Sequence, residues 1–254
     1  MNLNDLICGN NVDVLKGLDE NSIDLTLTSP PYDGLRDYNG YSFDFEGIAK
    51  ELYRVTKDGG VIVWVVGDKT NNGSESGSSF KQVLFFKELG FNIHDTMIWR
   101  KATAPLTHKR YEQEFEYMFI LVKGKINTFN PIMVDKIYMD KRMNKMIRRE
   151  KDGSIDYGNY SPKTTKIKGN IWDIPTGGGS NTKDKIAYKH PAIYPEKLAH
   201  DHIISWSNEG DTVLDPFVGS GTTCKMAKQL GRKYIGVDIS QEYIDITKQR
   251  LKLA

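Results

Sequence analysis

Cysteine is scarce in this chain: two in 254 residues, Cys8 and Cys224, far apart and without the spacing of metal ligands. A disulfide framework and a cysteine-based zinc site are therefore not expected, and both cysteines read as small buried residues of a reducing compartment. The remaining candidates for metal ligation, His94, His108, His200 and His202, form no ligand pattern either, so no metal is expected. No run of 18 apolar residues occurs, which excludes a membrane-spanning helix as an expectation. The first residues, MNLNDLICGNN, lack the basic flank and apolar core of a secretory signal, so a cytoplasmic protein is expected. A strong excess of one charge is also missing. Thirty-five Lys and Arg stand against 33 Asp and Glu, a net +2, which argues against a wholly basic nucleic-acid coat protein but says nothing of local basic patches.

Behind that balance the charge is uneven. Residues 101–170 hold 15 basic and 8 acidic side chains, +7, while the remainder holds 20 and 25, −5. A basic middle thus lies between acidic flanks. In the first flank, 22–28 alternates apolar and polar as a strand does, and 44–56 has helical spacing at Phe45, Ile48, Leu52 and Val55. The continuous apolar run 61–66 reads as a strand buried on both faces. A polar Gly/Ser-rich loop follows at 67–79, then a helix at 80–89 and strands at 93–99 and 115–122. The pattern is lost over 123–189. It resumes with a helix at 191–206, a strand at 213–215, a helix at 222–230, a strand at 234–239 and a helix at 241–251. Alternating strands and helices imply an α/β domain with a mainly parallel sheet, here in two sequence halves around a basic module.

In the second half, Val213-Leu214-Asp215-Pro216-Phe217-Val218-Gly219-Ser220-Gly221-Thr222 carries a strand through glycines into a helix. Such a turn lets a ligand approach the backbone at a helix N-terminus. A Walker A loop fails here, because the positions that should be Gly-Lys are Cys224-Lys225. The third glycine of a dinucleotide fingerprint is also Cys224. S-adenosylmethionine, which has no phosphate, does not need that glycine. Asp238, 23 residues beyond Asp215 at the end of the next strand, suits a carboxylate accepting from two ribose hydroxyls, and Asp215 suits the cofactor's ammonium.

In the first half, the strand at 22–28 ends in Ser29-Pro30-Pro31-Tyr32. Two prolines fix two φ angles and leave carbonyls without partner N–H groups, so a rigid acceptor sits beside a hydroxyl at a strand's carboxyl end. Tyr32 adds a flat face on which a base can stack.

Together these motifs resemble the β class of S-adenosylmethionine-dependent DNA amino-methyltransferases (cytosine N4 and adenine N6), in which the (D/N/S)PP(Y/F) motif precedes the target-recognition region and the FxGxG motif comes last. The order Ser29–Tyr32, basic middle, Phe217–Gly221 matches it over nearly the whole chain. The resemblance implies a Rossmann-like fold, mainly parallel with helices on both faces and a circularly permuted motif order. It implies a catalytic half over 1–100, an inserted target-recognition and DNA-binding region over 101–189, and a cofactor-binding half over 190–254. Ser29, Pro30, Pro31 and Tyr32 are its catalytic set. Asn10, His190, Asp215, Phe217, Gly219, Gly221, Thr222 and Asp238 are its S-adenosyl-L-methionine set, with His190-Pro191-Ala192-Ile193-Tyr194-Pro195-Glu196-Lys197-Leu198 resembling the segment that closes over the methionine part. Asn10 stands where the family usually has an Asp against the adenine ring.

The implied chemistry is methylation of a flipped base in double-stranded DNA by transfer to an exocyclic amine. Ser at the first motif position goes with cytosine N4 in this family, while Asp or Asn goes with adenine N6, which is the alternative. Methylation at cytosine C5 needs a nucleophilic cysteine in a Pro-Cys context, absent here. The competing readings are methylation of RNA or of a protein amide, and a DNA-binding protein with an inactive cofactor site. Lys141, Arg142, Lys145, Arg148 and Arg149 recur at helical spacing, which predicts a basic helix gripping phosphates. The resemblance leaves open a cognate restriction endonuclease as a further partner, and a monomer or a homodimer.

Overall fold

The structure is a computed structural model that describes residues 3–31, 43–101, 109–136, 145–159, 164–177 and 179–253. The chain opens on a short strand, β1 (Asp5–Cys8), and a one-and-a-half-turn helix, α1 (Asn11–Lys16), whose N-cap Asn10 accepts from the Val12 and Asp13 amides. β2 (Ile23–Thr28) follows, then α2 (Phe45–Val55), capped by Asp44 at the Gly47 amide. α2 buries Ile48, Ala49, Leu52 and Val55, the helical stripe visible in the sequence. β3 (Thr56–Val66) comes next. Every residue of its Val61–Val66 segment is buried, so the apolar run is a strand covered on both faces.

The polar loop after β3 contains a hairpin, β4 (Thr70–Asn71) and β5 (Ser74–Glu75), turned by Asn72 and Gly73 at φ +48° and +80°. α3 (Ser78–Glu88), β6 (Phe91–Arg100) and β7 (Phe115–Lys123) complete the first half. The basic middle adds β8 (Met133–Asp135), β9 (Lys145–Arg149), β10 (Ile155–Asn159), β11 (Thr165–Ile167) and β12 (Ile171–Asp173). After a 3-10 turn at Lys185–Lys189 come α4 (Glu196–Trp206), β13 (Thr212–Asp215), α5 (Thr222–Gln229), β14 (Lys233–Asp238) and α6 (Gln241–Lys252). Among the described residues no helix is long and apolar enough to cross a membrane.

Eight strands form one sheet in the order β1-β14-β13-β2-β3-β7-β6-β12. The pairs from β1 through β3 are all parallel, β7 is antiparallel to both β3 and β6, and β12 is parallel to β6. The fold is thus Rossmann-like, with strands from the two ends of the chain interleaved. Trp64 anchors the core on one face. It is fully buried, lies 5.1 Å from Phe86 ring to ring, and donates from Nε1 to Gln82.

The chain divides into two compact units: residues 1–130 with 170–254, and residues 131–169. The smaller unit consists of two antiparallel pairs, β8 with β11 and β9 with β10. The basic helix anticipated around Lys145 is instead the strand β9. Residues 150–154, with Gly153 at φ +86°, turn it back onto β10, closed by a bond from the Glu150 amide to the Ser154 carbonyl. The helical spacing used to gather the basic side chains on one face therefore does not apply at Lys145, Arg148 and Arg149. Lys141 and Arg142 lie outside the described residues.

Candidate active site

Two strands decide where the site lies. β2 and β13 are sheet neighbours, yet the chain leaves β2 for β3 in one direction along the sheet and leaves β13 for β14 in the other. Such a reversal opens a crevice at the strands' carboxyl ends. Both sequence motifs emerge there, and the register ties them. Thr28, the last residue of β2, donates from Oγ1 to Asp215 Oδ1 at 2.6 Å. Ser29 and Pro31, beyond Thr28, are half-buried and Pro30 is buried. Tyr32 lies outside the described residues.

Asp215 ends β13 at 1% exposure. Its Oδ1 also accepts from the Phe217 amide at 3.1 Å, and Oδ2 faces the Tyr194 hydroxyl at 3.5 Å. Burial raises its carboxyl from the ordinary 3.8 to about 6. The Thr28 and Thr223 hydroxyls and the Phe217 amide work against that rise, and the charge of Asp238 adds to it. No cationic side chain among the described residues pairs with Asp215. A buried carboxylate of this kind is suited to a cationic ligand group.

The turn after Asp215 is built for close approach. Gly219 and Gly221 have φ of +49° and +83°, a region that favours glycine. A Cβ at Gly219 would come 2.9 Å from His190 Nε2, so the imidazole lies against this turn. Gly221 is the N-cap of α5 and no side chain among the described residues caps it, which leaves the first-turn amides for a ligand. Asp238, at the end of β14, accepts from the Gly219 amide on Oδ2 and the Ser240 amide on Oδ1, each at 2.9 Å. Burial raises its carboxyl too, opposed by those backbone donors. The Gly9 amide donates to the Asp238 carbonyl at 2.9 Å, which brings Asn10 to the same sheet end.

His190 is buried, with Nδ1 against the Ala192 backbone and its ring edge-on to Tyr243 at 4.3 Å. Tyr194 contacts the Thr223 hydroxyl and faces Asp215, so the stretch 190–194 runs along the glycine turn and the strand end. Phe217 is half-buried, and its ring packs on Phe43 at 5.5 Å and Trp64 at 6.5 Å. Thr222 is buried and its hydroxyl accepts from Arg250, so its side chain supports the turn from behind. Of the two cysteines, Cys224 is buried but Cys8, at the end of β1, is exposed, against expectation. Sequence reasoning missed Arg250 altogether and gave Thr28 no partner; the Thr28–Asp215 bond appears only once β2 and β13 are side by side, and the Arg250 bonds only once α6 lies against the glycine turn.

These residues fit S-adenosyl-L-methionine: a buried carboxylate with no cationic partner among the described residues for its ammonium, a second carboxylate at the adjacent strand end for its ribose, and a glycine turn whose backbone a ligand can approach. A profile of the family described as DNA methylase matches residues 23–249. The orphan methyltransferase M.BamHII of Bacillus amyloliquefaciens is 60% identical over 237 residues, covering 91% of this chain and 89% of its own. A Thermus thermophilus protein described as a putative DNA modification methylase, solved with S-adenosyl-L-methionine, superposes with a TM-score of 0.65 at 26% identity, over 98% of this chain and 94% of its own. The PvuII DNA methyltransferase, described as cytosine-N4-specific, gives a TM-score of 0.72 at 19% identity, over 98% and 86%, a likeness of fold. The chain belongs to the DNA methylase family and is an S-adenosylmethionine-dependent DNA methyltransferase of the N4/N6 amino-methyltransferase class.

Proposed function

We propose that this methyltransferase modifies the exocyclic N4 amine of cytosine in double-stranded DNA. The observation that carries the reading is Ser29. It stands first in the Ser-Pro-Pro-Tyr motif, directly after the strand end that Asp215 clamps through Thr28. In the family pattern that position is Ser in N4-cytosine enzymes and Asp or Asn in N6-adenine enzymes.

An exocyclic amine is a poor nucleophile because its lone pair is delocalised into the ring. Ser29 Oγ and the Pro30 carbonyl accept its two hydrogens, which favours a pyramidal nitrogen and turns the lone pair out of conjugation. Tyr32 stacks on the base, which reaches this point only after leaving the duplex. Asp215 would hold the cofactor's ammonium, Asp238 its ribose hydroxyls, and the α5 N-terminus its carboxylate. The bound cofactor supplies an electrophilic methyl group on a sulfonium. The chain's own contribution is orientation and fixed charge.

The 131–169 unit is the DNA-gripping part of this reading, with ten basic against five acidic residues. The deciding experiment methylates duplex DNA with labelled cofactor, digests it to nucleosides and identifies the labelled one. N4-methylcytidine is expected. Label in N6-methyladenosine overturns the base assignment.

A further inference from the structure

The glycine turn is held from behind by α6. Thr247 Oγ1 donates to the Gly219 carbonyl at 3.0 Å. Three residues on, and so on the same helix face, Arg250 Nη1 donates to the Ser220 carbonyl at 2.7 Å and to Thr222 Oγ1 at 3.1 Å. Arg250 has no exposed surface. Its remaining donors reach the stretch that covers the turn from the other side: Nε to Asp184 at 3.1 Å, and Nη2 to Glu196 at 2.6 Å and Thr182 Oγ1 at 3.3 Å. Thr182 and Asp184 precede His190 and Tyr194, and Glu196 follows them. One guanidinium therefore grips the turn and both ends of the segment that lies against it.

Lys225 completes the buried cluster, donating to Asp184 at 2.7 Å and Glu196 at 2.8 Å, but among the described residues its ammonium makes no bond to the turn's backbone. Burial alone would raise the Asp184 carboxyl. The Lys225 and Arg250 donors and charges overcome that and hold it below the ordinary carboxylate range, so it stays ionised. Buried ion clusters contribute little net stability compared with apolar packing of the same volume. What an arginine adds here is a planar fork of donors at fixed angles, which lysine cannot copy.

We infer that Arg250 is a positioning residue for cofactor binding: it sets the Ser220 carbonyl and the 182–196 segment at one spacing, so that both walls of the S-adenosylmethionine site are in place before the ligand arrives. The test compares Arg250→Lys with Lys225→Met, by cofactor titration, steady-state kinetics, hydrogen exchange at amides 219–223 and thermal unfolding. Both variants lower the melting temperature. Arg250→Lys weakens cofactor binding about tenfold and raises KM for the cofactor in proportion. It leaves kcat at saturating cofactor within about twofold and speeds exchange at 219–223. Lys225→Met leaves cofactor affinity within about twofold. Equal loss of affinity in the two variants, or unchanged affinity in Arg250→Lys, overturns the inference. If Arg250→Lys does not fold, Thr247→Val carries the test, since it removes only the neighbouring grip on Gly219. The same rise in KM without a fall in kcat is expected, and unchanged affinity there overturns the inference as well.

Discussion

Asp215→Asn is expected to make the cofactor-free protein more stable while removing most of its cofactor affinity. Asp215 has a carboxyl raised from 3.8 to about 6 at 1% exposure. Two pH units of differential ionisation correspond to about 3 kcal/mol. The sign follows from which state binds the proton more tightly. The folded pKa is the higher one, so the group's stabilising contribution is fully present below about pH 4 and is lost as pH rises through about 6. At pH 7.5 the folded protein therefore holds a charge that the unfolded chain carries at less cost. Asn keeps the Oδ1 acceptor for Thr28 and the Phe217 amide and places its amide nitrogen where Oδ2 faces the Tyr194 hydroxyl. The expected gain is about 1–3 kcal/mol after imperfect hydrogen bonding is allowed for, or roughly 2–10 °C in Tm for a chain of this size. Loss of the charged partner should weaken S-adenosylmethionine binding by about 1.5–3 kcal/mol. Urea unfolding of both proteins from pH 4 to 8, with calorimetric titration of the cofactor, measures both effects. The stability difference should shrink toward pH 4. A variant less stable than the parent at pH 7.5 and unchanged in cofactor affinity would refute both the buried-charge argument and the ammonium assignment.

Asp238→Asn keeps an acceptor for only one of the Gly219 and Ser240 amides, so it should lower Tm modestly as well as weaken cofactor binding by about 1.5–3 kcal/mol. Unaltered affinity in the same titration removes the ribose assignment. Ser29→Ala should lower turnover more than DNA affinity, because its bond to the amine matters most as the nitrogen pyramidalises; full turnover in a methyl-transfer assay would leave the Pro30 carbonyl acting alone. Replacing Lys145, Arg148 and Arg149 together by Ala should reduce the slope of log affinity against log salt by up to about 2.7, equally for cognate and scrambled duplexes. An unaltered slope means these residues touch no phosphates, and a loss confined to cognate DNA means they read bases.

The elements buried on both faces were the legible ones. Val61–Val66 and Val213–Asp215 have no exposed residue, and their apolar composition follows directly from that. The α2 stripe was equally plain. β1 was not, because four residues at a sheet edge carry too little periodicity to stand out from a loop. The polar loop hid a hairpin although Asn72-Gly73, a dipeptide suited to the mirror-image turn, was in view. At β9 the spacing of basic residues misled. The signal that wins is the Asp152-Gly153 turn and the pairing it permits with β10. At the site, the glycine turn and the proline pair carry their chemistry in adjacent residues and could be read. The Arg250 cluster ties Ser220 and Thr222 of the glycine turn to positions 182, 184, 196, 225 and 250, which are far apart in sequence and carry no pattern that links them.

The interleaving of the sheet also sets an order on the ribosome. β2 can pair with β3 early, but its other edge waits for β13, which begins at Thr212. Until then a strand with a buried apolar face presents a row of unpaired backbone groups, the state in which intermediates aggregate. Closing a loop of that length costs little more entropy than closing a shorter one, yet such distant pairings fold slowly. The Ser-Pro-Pro motif and Asp215 meet only at this late pairing, and Asp238 joins them later still with β14, so a chain interrupted anywhere before β13 lacks both carboxylates of the site.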